Sequence, residues 1–213
     1  MISFEHTEVV GFEPAIRGMR NPKNSWDRSD SEYAMGEFVI GANDEKLCKT
    51  LLSGGAVHSK FMRFIVCYTD INAPQYWWSE YDTYKVGTVA NSCSKMHKLL
   101  AKPFEISDFS FDKLHATEFM RVARPLVIIL NELRDEYFKL EDEDEKKRIW
   151  YEILQILPIS YNQKRTVCMN YEVLRNMYRW RYNHKLDEWR EFCQWVERLP
   201  NSWLITYGIK KEQ

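Results

Sequence analysis

Hydrophobic and polar positions alternate in short runs over the first half of this 213-residue chain and settle into helical spacing over the second. Ile2 and Phe4, then Val9, Val10 and Phe12, predict a first strand within residues 1–12. Pro14-Ala15-Ile16-Arg17 opens a short helix, which Asn21-Pro22 stops. A polar stretch over residues 23–31 leads to a second strand at Glu37-Phe38-Val39-Ile40. Asn43 or Asp44 is expected to cap a helix through Leu47, Leu51 and Leu52, ended by Gly54-Gly55. The aromatic and β-branched run from Phe61 to Thr69 reads as the central strand. Asn72-Ala73-Pro74 supplies a cap and a first-turn proline for an aromatic helix from Gln75 to Lys85. The small, polar segment from Gly87 to Ser94 suits a loop.

The second half reads as helical. Apolar residues recur at helical spacing from Phe111 to Phe138, with a kink expected at Pro125. The acidic run over residues 141–145 breaks that pattern and favours the N-terminus of a shorter helix ending at Leu157-Pro158. Residues 169–198 form one last long helix, or two helices broken near Asn183. On a helical wheel Val173, Leu174, Met177, Tyr178 and Trp180 gather on one side, and Glu172, Arg175 and Arg179 on the other. Glu172 and Arg175 are spaced for a surface ion pair. Asn170, Arg181, His184 and Glu188 fall on the apolar side of an unbroken helix, and Asn176 lies at its margin.

Composition narrows the class. Thirty Lys and Arg balance 31 Asp and Glu, so no global field favours nucleic acid or an anionic membrane, and an anionic ligand must be met by local arginines. Five unpaired-looking cysteines, with no C-x-x-C, fit reduced thiols in a cytoplasm. The N-terminus lacks signal-peptide features, and no apolar run approaches the roughly 20 residues of a membrane helix. A soluble cytoplasmic protein of one domain, residues 1–213, is expected. The phosphate-loop, dinucleotide, zinc-protease and nucleophile-elbow motifs are absent, and no metal-ligand spacing occurs.

A guanidinium on a buried face needs partners, because stranding its charge away from water costs several kcal/mol. Two readings of Arg181 stay open: an internal network with Glu188, or a cleft in which it binds an anion or a carbonyl oxygen through its planar fork. His58, between Gly54-Gly55 and the expected central strand, is a second candidate, set against a structural histidine. Tyr76, Trp77, Trp78, Tyr81 and Tyr84 could stack on a flavin or on bases, but an aromatic run in a helix more often belongs to a core.

The stretch Leu157-Pro158, Asn170 to Asn176, Trp180-Arg181, His184 and Glu188-Trp189-Arg190 resembles the C-terminal segment of flavin-dependent thymidylate synthases. That segment runs leucine-proline, N-x-R-x-L-x-N-F-x-x-x-R, a histidine and an E-I-R-like triplet. The correspondence is ungapped from Leu157 to Arg181 and needs one deletion to bring His184 and Glu188 into register. Residues 55–61 resemble the family's G-H … E-H-x-x-F approach to its central strand, with His58 at the second of the two histidines. The family's R-H-R signature is missing: Thr83-Tyr84-Lys85 stands there, and only Lys85 keeps the charge. Leu154 and Glu172 replace two further arginines.

The resemblance implies an α/β (α+β) fold, a small, mostly antiparallel sheet packed with a helical C-terminal half. It implies reductive methylation of dUMP to dTMP with reduced FAD, methylenetetrahydrofolate and NADPH. Arg181 would bind and polarise the pyrimidine. His58, Asn176, His184 and Lys85 would contact the flavin, and Asn91, Ser92 and Ser94 would lie near the nucleotide phosphate. Family members are homotetramers with shared sites. Two alternatives stay open: a repurposed relative binding another nucleotide, and a module whose Arg/Trp/Tyr helix grips nucleic acid or a protein.

Overall fold

The first apolar run becomes strand β1 (Ser3–Val10), and Gly11 turns the chain into helix α1 (Phe12–Arg20). Gly11 has φ +96°, and a Cβ there would collide with the carbonyl of Phe64, so the turn requires glycine. The computed structural model describes residues 2–94 and 98–209. The chain divides into two compact units, one of Asn72–Glu80 and Ser92–Arg165, the other of Ile2–Ile71, Tyr81–Asn91 and the residues from Thr166 onward.

The second of these units carries most of the predicted first-half elements. Strands β2 (Glu32–Ala34) and β3 (Glu37–Val39) form an antiparallel hairpin in which Tyr33 faces Phe38. Helix α2 (Ala42–Ser53) ends at Gly54 as expected, but neither Asn43 nor Asp44 caps it. The carboxylate of Asp30 does so from outside, accepting the N–H groups of Asn43 at 2.8 Å and Asp44 at 3.1 Å. Asp44 is thereby free to point inward.

The central strand begins later than predicted. Phe61 and Met62 are both buried, which the alternation of a half-buried strand would not permit for neighbours, and they lie in a 3-10 turn (Lys60–Arg63). Strand β4 is Val66–Pro74, so Pro74 closes a strand instead of opening a helix. Helix α3 (Gln75–Tyr81) stops short of Lys85, and its Trp77 and Trp78 are fully buried. The aromatic run is core.

One strand lies where a loop was expected, and another fills the stretch between two expected helices and overlaps only the start of the second. Thr88–Ser92 forms β5 and Asn162–Asn170 forms β6. The latter buries Gln163, Val167 and Met169, with period two. Polar side chains at some of its inward positions hid that period in the sequence. The four-stranded sheet has the order β1-β4-β6-β5. A small antiparallel sheet with helices is the architecture that the sequence predicts.

In the other unit the expected kink at Pro125 is a π-helical turn (Phe119–Ala123) just before it. Proline then occupies the first turn of α4 (Arg124–Lys139). Helix α5 (Glu143–Ile156) follows the acidic run, and Asp142 caps it by accepting the N–H of Glu145 at 2.9 Å. Leu130, Ile149 and Ile153 meet Leu99, Phe104 and Phe109 in this unit's core.

The last helical stretch is two helices, α6 (Tyr171–Arg181) and α7 (Asp187–Glu197), followed by the short α8 (Trp203–Thr206). Asn170 is the cap of α6, its side-chain oxygen accepting the N–H of Val173 at 2.9 Å, and not a residue of an apolar helical face. Val173, Leu174, Met177 and Tyr178 are buried as predicted. Trp180, in the last turn of the helix, is 69% exposed, contrary to its place on the wheel.

Candidate functional site

A cavity of about 530 Å³ runs along α6, and all of its lining comes from one unit. Asn170, Glu172, Val173, Arg175, Asn176 and Arg179 form the helical wall. Leu52 and the turn after α2 supply the opposite side through Gly55, Ala56, Ser59 and Arg63, and Val86 and Gly87 close one edge.

The local geometry follows from the cap. Because the Asn170 oxygen is committed to Val173, its amide nitrogen is left toward Gly87. Gly87 has φ +79°, and a Cβ there would come within 2.6 Å of that nitrogen. Glycine therefore serves both the turn and the close approach.

Electrostatics set the character of the wall. Glu172 does not pair with Arg175, its expected partner on the helix surface. Both its oxygens accept from Arg63, through Nε and, at 3.1 Å, through Nη2. Arg175 instead donates from Nη1 to the carbonyl of Ile205 at 2.7 Å. Partial burial lowers the Arg175 pKa, and the neighbouring charge of Arg179 lowers it further.

A second constellation lies at the C-terminal end of α6. Arg181 donates from Nε to the hydroxyl of Tyr84 at 2.8 Å, and from Nη1 to Nε2 of His184 at 2.9 Å. Its guanidinium lies 4.7 Å from the ring centroid of Trp189 and 5.4 Å from that of Tyr84. The backbone N–H of Leu186 also points at Nδ1 of His184, at 3.2 Å. Glu188 is buried in α7, which is separated from α6 by the turn after Arg181.

The sequence-predicted residues divide between these places. Asn176 lines the cavity. His58 is exposed in the turn between Ala56 and Ser59, with its ring against Gly54. Lys85 is exposed and adjoins Val86 in the chain. Arg181 and His184 meet each other, outside the cavity lining. Asn91 and Ser92 are exposed on β5, and Ser92 and Ser94 belong to the other unit. Sequence reasoning did not single out Arg63, Arg175 and Arg179. The available signal was Arg175 and Arg179, four residues apart on one helix face, sharing only Glu172 as a nearby acid.

The fold is that of the flavin-dependent thymidylate synthases. Among solved structures, thymidylate synthase X from Helicobacter pylori with FAD and dUMP superposes at a TM-score of 0.66 with 17% identity, over 98% of each chain. A second structure of that enzyme with FAD and dUMP gives 0.66 with 19% identity, over 97% of this chain and 98% of the other. The UMP/dUMP methylase PolB from Streptomyces cacaoi, bound with 5-Br dUMP, gives 0.62 with 13% identity, over 97% and 94%. No protein-family model and no curated protein matches the sequence. Among the described residues, no helix is long and apolar enough to cross a membrane.

Proposed function

We propose that this chain is a cytoplasmic, flavin-dependent thymidylate-synthase-like enzyme that binds FAD and a dUMP-like nucleotide, with methylenetetrahydrofolate and NADPH as co-substrates. The observation that carries the reading is the cavity along α6. It is lined by Asn170 and Asn176, the two asparagines of the family-like motif, on a fold shared with enzymes solved with FAD and dUMP. Its volume suits a small-molecule cofactor. Apolar Leu52 and Val173 beside carboxamides and arginines fit a ligand with a flat body and an anionic end.

Bound flavin would supply hydride chemistry, and the protein's part is binding, orientation and electrostatics. The Asn170 and Asn176 carboxamides offer donors and acceptors to a heterocycle edge. Arg181, held by Tyr84 and His184, keeps a planar fork in a fixed orientation for a pyrimidine carbonyl. His58, Lys85, Asn91, Ser92 and Ser94 would reach ligand through the shared sites of a homotetramer. Glu172, standing where the family pattern has arginine, favours a second reading, a relative that binds a different nucleotide.

The test is formation of dTMP from dUMP by purified protein supplied with FAD, NADPH and methylenetetrahydrofolate, beside a light-scattering mass. Product formation by a particle of about four times 25.6 kDa is expected. FAD binding without dTMP formation would select the second reading. Absence of any flavin binding at micromolar protein would overturn the flavin assignment, and a monomer would remove the shared sites.

A further inference from the structure

The cavity wall carries more positive charge than its ion pairing consumes. Arg63 is matched by Glu172, which spends both carboxylate oxygens on it. Arg175 and Arg179 follow on the same helix four residues apart, a spacing at which like charges repel. Neither forms an ion pair with a carboxylate among the described residues. Arg175 has the Ile205 carbonyl for one nitrogen, and Arg179 makes no side-chain hydrogen bond among the described residues. Burying part of one guanidinium beside another is unfavourable unless an anion joins them.

Both arginines occupy variable positions of N-x-R-x-L-x-N-F-x-x-x-R, so they belong to this chain and not to the motif it resembles. The chain lacks the R-H-R signature and carries Glu172 where that motif has arginine. Cations have gone from the family's positions, and others stand on the face that lines the cavity.

We infer that Arg175 and Arg179 form an anion-recognition pair that takes the phosphate of the nucleotide ligand in the α6 cavity, in place of the missing signature arginines. The inference rests on the proposed function for the ligand's identity as a flavin nucleotide, and on the cavity geometry alone for its phosphate. Arginine forks suit phosphate oxygens because they make parallel charge-assisted hydrogen bonds. Arg175, anchored through Nη1, is the oriented member of the pair, and Arg179 is the exposed one.

Fluorescence titration with riboflavin, FMN and FAD, on wild type and Arg179→Gln, tests the pair. Wild type is expected to bind FMN and FAD at least tenfold more tightly than riboflavin. Arg179→Gln should bring the three within about twofold at unchanged riboflavin affinity and unchanged melting temperature, since an exposed arginine has little folding role. Equal binding of the three by wild type, or a phosphate preference that survives in Arg179→Gln, overturns the inference while leaving the flavin reading intact. Thermal shift with inorganic pyrophosphate separates the two ideas. If no flavin binds, pyrophosphate stabilisation of wild type that is absent from Arg179→Gln still supports the pair, and its absence from wild type refutes it.

Discussion

Arg20 and Asp44, 24 residues apart in sequence, meet inside the protein with Nε 2.6 Å from Oδ1, at 3% and 0% exposure. The pair ties the last residue of α1 to the first turn of α2. The second oxygen of Asp44 accepts from the hydroxyls of Ser29 and Ser31 and the N–H groups of Asp30 and Ser31. Arg20 also donates to the carbonyl of Ser25 at 3.2 Å.

Removing one member strands the other. Asp44→Ala is expected to destabilise the protein by about 3–5 kcal/mol in urea unfolding, because it leaves a buried guanidinium uncompensated. The double variant Arg20→Met/Asp44→Leu should recover only the part that comes from the stranded charge, because the hydroxyls of Ser29 and Ser31 and the N–H groups of Asp30 and Ser31 still lose their acceptor. Equal losses in the single and double variants would mean that the hydrogen bonds to Asp44 and the packing, and not the charge of Arg20, govern the site.

The same carboxylate sets an acid response. Burial raises the Asp44 pKa, but hydrogen bonds from Ser31, Ser29, Arg20 and Asp30 outweigh it and hold the pKa below its usual value. A depressed folded-state pKa contributes stability that is complete above the unfolded value of about 3.9 and is lost as pH falls through the folded one. Wild type should therefore lose more melting temperature than Asp44→Asn as pH is lowered below about 4. Parallel curves for the two proteins would contradict this.

Gly87 and Gly36 share a positive φ, +79° and +86°, but only Gly87 has a neighbour, the Asn170 amide, in the way of a Cβ. Gly36→Ala should cost about 1 kcal/mol from backbone strain alone. Gly87→Ala should cost more and weaken flavin binding, since the Asn170 cap must move. Chemical unfolding with flavin titration on both variants reads the difference, and equal effects would remove Gly87 from the site.

Arg181→Ala should abolish dUMP binding in calorimetry if this arginine holds the pyrimidine. Loss of its bonds to Tyr84 and His184 should also cost about 1.5–3 kcal/mol, the range for hydrogen bonds to a charged group. Wild-type dUMP binding that persists in Arg181→Ala would return the residue to a structural network.

The elements most legible in the sequence are those whose signals are local. The acidic run before a helix and Gly54-Gly55 after a leucine run each act on their own neighbours, and the structure places a helix start and a helix end there, whereas Pro125, expected at a kink, stands in the first turn of α4. The apolar stripe Val173, Leu174, Met177 and Tyr178 is likewise a property of one helix. Strand β6 was not legible, because Gln163 at an inward position finds its partners elsewhere in the chain, the indole of Trp78 donating to its backbone carbonyl and its own amide donating to Cys93. Nor could spacing reveal that Glu172 turns to Arg63, 109 residues away, when Arg175 lies one turn along the same helix. Sequence by itself determined that helices dominate the second half, that an aromatic helix opens at Gln75, and the motif that frames Asn170, Asn176 and Arg181. Only the tertiary structure decided which arginines line the cavity, because ion pairing is chosen by distance and burial across the fold and not by separation along the chain.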